Sequence, residues 1–214
     1  MDTSKWKIMS ITATDTIWIE KPNVADLARE NGDFKTAILE YSKLIKADPA
    51  ETKGYYNIAC IYSFLKNKDS AFKYLIIALK SDDNARHAFT DPDFYNLVNY
   101  ARWTHLENEQ IKKLEAKHKY KDVKVTRELW RMGIKDQAYY FEITIAEKKY
   151  GMKSRQSDSL WKLKEKLNNE NLTRMKQIIE KYGWPGTSDF GGRAANTAFL
   201  IIQHADYDTQ IKYL

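Results

Sequence analysis

"NGDFKTAILEYSKLIKADP", residues 31–49, is the stretch on which the reading of this chain turns. Gly32 and Asp33 punctuate it. A glycine tolerates the left-handed turn that ends one helix, and an aspartate next to it accepts from the exposed N–H groups that begin another. Apolar residues then recur at helical intervals as far as Asp48-Pro49, where the chain must leave the helix. Upstream, Asn23 caps a first helix that stops at Gly32, so the whole segment reads as a helical hairpin.

The hairpin repeats. Displaced by 34 residues, Ala25 falls on Ala59, Ala37 on Ala71, Tyr41 on Leu75 and Leu44 on Ala78. Small residues recur where two helices must approach, and larger apolar ones where the gap between hairpins needs filling. The second copy, "YYNIACIYSFLKNKDSAFKYLIIALKS", puts Asp69 in the place of a cap between its helices. Its apolar faces run through Ile58, Ile61, Tyr62 and Leu65, then Phe72, Leu75, Ile76 and Leu79. After it, "TDPDFYNLVNYARW" has Asp91 as a cap and Pro92 at a first helical position, where a missing N–H costs nothing. This reads as the helix that closes a short array.

Residues 22–82, with the closing helix to about 106, resemble the tetratricopeptide repeat family. Gly32, Ala37, Tyr41 and Pro49 stand at that family's marked places and Tyr55 where an aromatic is usual. The likeness is closest in the second half of the first copy, and Lys66 replaces the turn glycine in the second. The resemblance implies a protein or peptide partner bound in the concave surface formed by the first helix of each repeat, with Lys53, Tyr56 and Asn57 as contact residues. Some family members grip a C-terminal carboxylate with Asn and Lys side chains. Here Pro22 and Asp26 stand where the first repeat would supply such ligands, and a third repeat is absent. With only two repeats, docking of the array onto the rest of the chain is the other role to expect.

Composition narrows the alternatives. With 43% apolar and 30% charged residues and no apolar run of the roughly 18 residues a membrane span needs, the chain reads as soluble, without membrane attachment. The first twenty residues carry Trp6, Ile8, Met9 and Ile11 interrupted by polar groups, unlike a secretory leader, and leave a strand pair, a helix or a disordered arm open. The single cysteine, Cys60, allows neither an internal disulfide nor a cysteine-based metal cage, which fits the cytoplasm. Four histidines, His87, His105, His118 and His204, show no paired ligand spacing, so no metal and no cofactor is expected. The net charge of +6 is concentrated at Lys112, Lys113, Lys117, Lys119, Lys121, Lys124 and Arg127. A solvated connector over 107–121 accounts for it, since no nucleic-acid reader accompanies it; binding of RNA or an anionic surface is the weaker alternative.

The back half, 122–214, reads as a compact helical domain. One long helix is expected from Asp122 to Tyr150, stopped by Gly151, with Leu129, Trp130, Ile134, Phe141 and Ile145 on its apolar face. Asp136 and Gln137 fall in or beside that stripe and must find hydrogen-bond partners there. A short helix capped by Ser157 or Ser159 follows, then one bearing Leu172, Met175, Ile179 and Tyr182 and ended by Gly183, then one capped by Ser188 or Asp189. Gly191, Gly192, Ala194, Ala195 and Ala198 point to close packing, or else the two glycines clear room for an anion at a helix N-terminus.

"LIIQHADYDTQ" places Gln203 and His204 in a last helical turn, where a histidine can bond free carbonyls, with Asp206 or Asp208 capping the next helix. The functional reading of the same residues makes His204 a general base or acid oriented by Asp206 or Asp136, with Gln137 and Gln203 positioning a polar substrate. That would be a small hydrolase-like enzyme. The ordered set "KDQAY", "GWPGTS" and "IIQHAD" resembles a bacterial domain family of unknown function over residues 125–214. The likeness marks Asp136, Gln137, Gly183, Trp184, Pro185, Gly191, Gln203, His204 and Asp206. It departs from the family where Tyr140 replaces a basic residue, and where the chain stops at Leu214 short of a further helix, so a truncated member is expected. The favoured reading is an all-α interaction or adaptor protein; the enzyme is the alternative.

Overall fold

The structure is a computed structural model that describes residues 6–10, 16–20, 23–81 and 87–214. The N-terminal segment takes the strand-pair option: β1 (Trp6–Ser10) runs antiparallel to β2 (Thr16–Glu20), in the register Trp6↔Glu20 to Ser10↔Thr16. The other regular elements described are helical, and the fold is all-α apart from that hairpin.

The first helical hairpin forms as its punctuation requires. Asn23 accepts from the Asp26 N–H at 2.8 Å and opens α1 (Val24–Glu30); Gly32 turns at φ +74°; Asp33 accepts from the Thr36 N–H at 3.1 Å and opens α2 (Phe34–Ala47). The second hairpin pairs α3 (Lys53–Phe64) with α4 (Lys68–Ala78). Its cap is Asn67, which accepts from the Ser70 N–H at 3.2 Å; Asp69 lies inside the first turn instead. Lys66 adopts φ +56° where the first copy has glycine, a conformation that costs a residue with a Cβ about 1 kcal/mol or more.

Three of the four residue pairs related by the repeat are buried together: Ala25 with Ala59, Ala37 with Ala71, and Tyr41 with Leu75. Leu44 remains exposed although its counterpart Ala78 is buried, and Leu65 and Ile76, assigned to apolar faces, are exposed as well. The closing segment is not an α-helix at its start. Two 3-10 turns, Ala88–Thr90 and Pro92–Leu97, come first, the second capped by Asp91, and α5 (Ala101–Glu115) follows. The Pro92–Leu97 turn packs against α3 and extends the stack.

Glu107, Gln110 and Ile111, in the stretch read as a connector, are buried along α5. The helix expected from 122 to 150 is broken in two. Asp122 caps α6 (Val123–Gln137), Tyr139 then takes φ +71°, and α7 (Tyr140–Tyr150) starts in a new direction. Conversely, the two helices expected next are one, α8 (Arg155–Tyr182), capped by Ser154; Ser157 is buried, and its hydroxyl donates to Glu147 Oε1 at 3.0 Å. The turn α9 (Thr187–Phe190) begins at Gly186 and α10 (Gly192–Gln203) at Gly191, neither with a side-chain cap. Asp206 caps α11 (Tyr207–Tyr213).

One core cluster runs from Ala59 and Phe72 of the second hairpin through Phe89, Phe94, Trp103 and Trp130 to Met175 and Ile202. Within it α6 and α10 pack face to face, and they touch at Gly133, where a Cβ would lie 2.5 Å from Thr197 Oγ1. That close approach brings the C-terminal ends of both helices together. No helix among the described residues is long and apolar enough to cross a membrane.

Candidate functional site

Asp136 ends α6 with its carboxylate almost wholly buried, and His204 caps α10. Because those helices pack closely, residues 68 apart in sequence meet: His204 Nδ1 is 3.0 Å from Asp136 Oδ2 and 3.2 Å from Oδ1. Gln137 Nε2 donates to Asp136 Oδ2 at 2.6 Å. The histidine ring therefore bonds a carboxylate rather than the free carbonyls of its own helix. Its side chain is 30% exposed against 2% for Asp136, so one edge of the ring reaches solvent. Nδ1 is the ring nitrogen that faces the carboxylate, which in the neutral tautomer donating there would place the lone pair on Nε2.

A residue with no motif to mark it completes the cluster. Lys164 of α8 is fully buried, and its ammonium donates to the backbone carbonyl of Asp136. It also donates to Asn168 Oδ1 at 3.3 Å and stands 3.9 Å from the Tyr140 ring centroid. Desolvation lowers its pKa, against the opposing pull of Asp136.

The other two residues marked in this region lie elsewhere. Gln203 is exposed, and its carbonyl accepts from Gln210 Nε2 at 2.8 Å. Asp206 accepts from the N–H and the hydroxyl of Thr209, both at 2.9 Å, and these bonds hold its carboxyl below the usual range. It is a helix cap and does not orient His204. Gly191 faces Tyr120, whose ring would be 2.8 Å from an added Cβ, so packing explains that glycine. Gly192 has open space beside it and lines a cavity of about 560 Å³ with Gln137, His87, Asn196 and Thr197.

In the repeats, Tyr56 is withdrawn from the role of partner contact. Its hydroxyl donates to Asp91 Oδ2 at 2.5 Å and its ring meets Phe94 edge-on at 5.4 Å, and burial pushes its pKa far up. Lys53 is exposed and Asn57 half-buried on α3. Asp26 accepts from the Tyr41 hydroxyl at 2.5 Å, while Pro22 lies outside the described residues.

Tyr56 belongs to a second buried polar cluster that sequence reasoning missed. The Arg29 guanidinium pairs with Asp93, and Asp91 Oδ1 accepts from the Asp93 N–H at 2.9 Å. Cys60 lies alongside, and Cys60, Asp91 and Asp93 offer three ligand atoms within 4.8 Å of one another. A cation there would compete with Arg29, which already supplies the compensating charge. Burial, aided by the neighbouring Asp93 carboxylate, pushes Asp91 up to about 6 and raises the Cys60 thiol well above its ordinary value. The available signal was two aspartates flanking Pro92, short polar groups that burial would force to share a cation.

The basic stretch is partly neutralised. Lys112 pairs with Glu109 at 2.9 Å and Lys121 with Asp189 at 3.2 Å, and the His118 ring lies 2.7 Å from the Ser188 carbonyl.

The sequence profile described as tetratricopeptide repeat matches residues 52–84. The match covers the second hairpin, the copy in which the resemblance is looser, and makes these residues similar to a tetratricopeptide repeat. No curated protein and no solved structure matches the chain.

Proposed function

We propose that this protein is an interaction or adaptor protein that engages a protein partner through the first helices of its two hairpins, α1 and α3. The observation that carries this reading is the tetratricopeptide match over 52–84 on a second hairpin that stacks on a first one of the same construction. Lys53 and Asn57 are the α3 side chains left for a partner once Tyr56 is committed to Asp91. Cytoplasmic action fits a single buried free thiol. Residues 125–214 we group with the bacterial helical family that their motifs resemble. The test is selection of displayed peptides on the full-length chain, followed by affinity measurement on Asn57→Ala and Lys53→Glu. The expected result is at least a tenfold loss; peptides that bind both variants as tightly as the parent would refute the assignment.

The Asp136–His204 contact supports a second reading, a small hydrolase-like enzyme with His204 as general base and Asp136 as its positioning residue. A panel of chromogenic carboxylic and phosphoric esters tests it. Turnover abolished in His204→Asn would support it, and the lack of any His204-dependent turnover would remove it.

A further inference from the structure

One face of α6 is basic along its whole length. Lys124, Arg127, Arg131 and Lys135 recur at intervals of three and four, and with Arg174 of α8 they line a groove of about 490 Å³. The guanidinium groups are fixed in place. Arg131 Nη2 donates to Glu107 Oε2 at 2.5 Å and to Thr104 Oγ1 at 2.9 Å; Arg127 Nη2 donates to Asn108 Oδ1 at 2.5 Å; Arg174 holds Glu128 through two bonds of 2.6 and 2.9 Å. Among the described residues no carboxylate pairs with Lys124 or Lys135, the two ends of the stripe. The five cations face three carboxylates, Glu107, Glu128 and Glu170, so the groove keeps a net positive charge.

From this charge and shape we infer that the groove between α6 and α8 binds an acidic peptide segment, at a site separate from the repeat surface. Eleven residues of helix separate Lys124 from Lys135 by about 16 Å, the reach of roughly five residues of extended chain. The lining suits a peptide better than a nucleic-acid strand. Val98 and Met132 contribute apolar surface and Asn99 and Asn171 contribute amides, and no aromatic ring lines the groove on which a base would stack. The interspersed Glu128 and Glu170 repel a continuous polyanion and tolerate a chain whose charges alternate with an apolar side chain.

The test is fluorescence anisotropy on the full-length protein with a labelled acidic hexapeptide containing one central leucine. A lysine-for-acid version of the peptide and a single-stranded oligonucleotide serve as comparisons. The expected result is saturable binding of the acidic peptide that weakens with added salt. It should fall at least tenfold in Lys124→Glu/Lys135→Glu, whose exposed or half-buried positions leave the fold intact by circular dichroism. The charge-matched pair Lys46→Glu/Lys73→Glu, on α2 and α4, should change it less than twofold, and Lys53→Glu should leave it unchanged, which separates this site from the one on α3. Absence of binding, equal loss in the two charge-matched variants, or tighter binding of the oligonucleotide would each overturn the inference.

Discussion

Two buried polar clusters in this fold are built from similar side chains and differ in what is left over. Around Asp91 and Asp93 the charges are matched within the fold: Arg29 arrives from α1, Tyr56 from α3, and both carboxylates sit at the turn that packs on α3, although Arg29 Nε has no hydrogen-bond partner among the described residues. Around Asp136 the carboxylate is buried more deeply, at 2% exposure against 13% for Asp93, but its last partner, His204, keeps one edge in solvent. The first cluster is a brace across three elements. The second keeps a histidine ring partly at the surface, and the exposure of that ring is what separates the two clusters.

Breaking the closed cluster should have the largest effect. Asp93→Ala strands the Arg29 charge and should lower stability by about 3 kcal/mol in urea denaturation; a loss below about 1 kcal/mol would mean that the cluster is no brace. Asp91 should behave in the opposite sense. Its carboxyl is raised to about 6, so the folded state binds this proton more tightly than the unfolded state does. The associated stability is present below the unfolded value near 4 and is lost as pH climbs through 6. Asp91→Asn should therefore stabilise the protein by about 2 kcal/mol at pH 7 relative to its effect at pH 4, and an equal effect at both pH values would contradict this. Tyr56→Phe removes one hydrogen bond and should cost about 1 kcal/mol. In the open cluster, His204→Asn should cost the least, under about 1 kcal/mol, since the ring is partly hydrated; a loss matching that of Asp93→Ala would place His204 among the structural groups.

The legibility of the sequence follows the same division between local and distant causes. Asn23, Gly32, Asp33, Asp122, Gly151, Gly183 and Asp206 act on their own turns, and each stood out from the residues alone. Residues whose environment is set by neighbours far along the chain did not. No proline or glycine announces the break at Ala138–Tyr139, where Tyr139 instead packs on Tyr95 at 5.4 Å. The two helices expected before Gly183 are the single α8, because Lys164, Leu167 and Asn171 are all buried on one side of it. Of the site residues, Asp136, Gln137 and His204 meet as one reading required, while Gln203 and Asp206 serve their own backbone turns. Lys164 and the Asp91–Asp93 pair stayed hidden, because a lysine in a charged stretch and aspartates in a turn look solvated until packing buries them.

The repeat surface as a partner-binding face is the central claim, and amide chemical-shift mapping tests it most directly. Titration of the full-length, isotope-labelled chain with a peptide selected on it should shift the resonances of residues 24–30 and 53–64, with Lys53 and Asn57 among the largest changes. Shifts confined to α6 and α8, or to the surroundings of His204, with α1 and α3 unmoved, would contradict it.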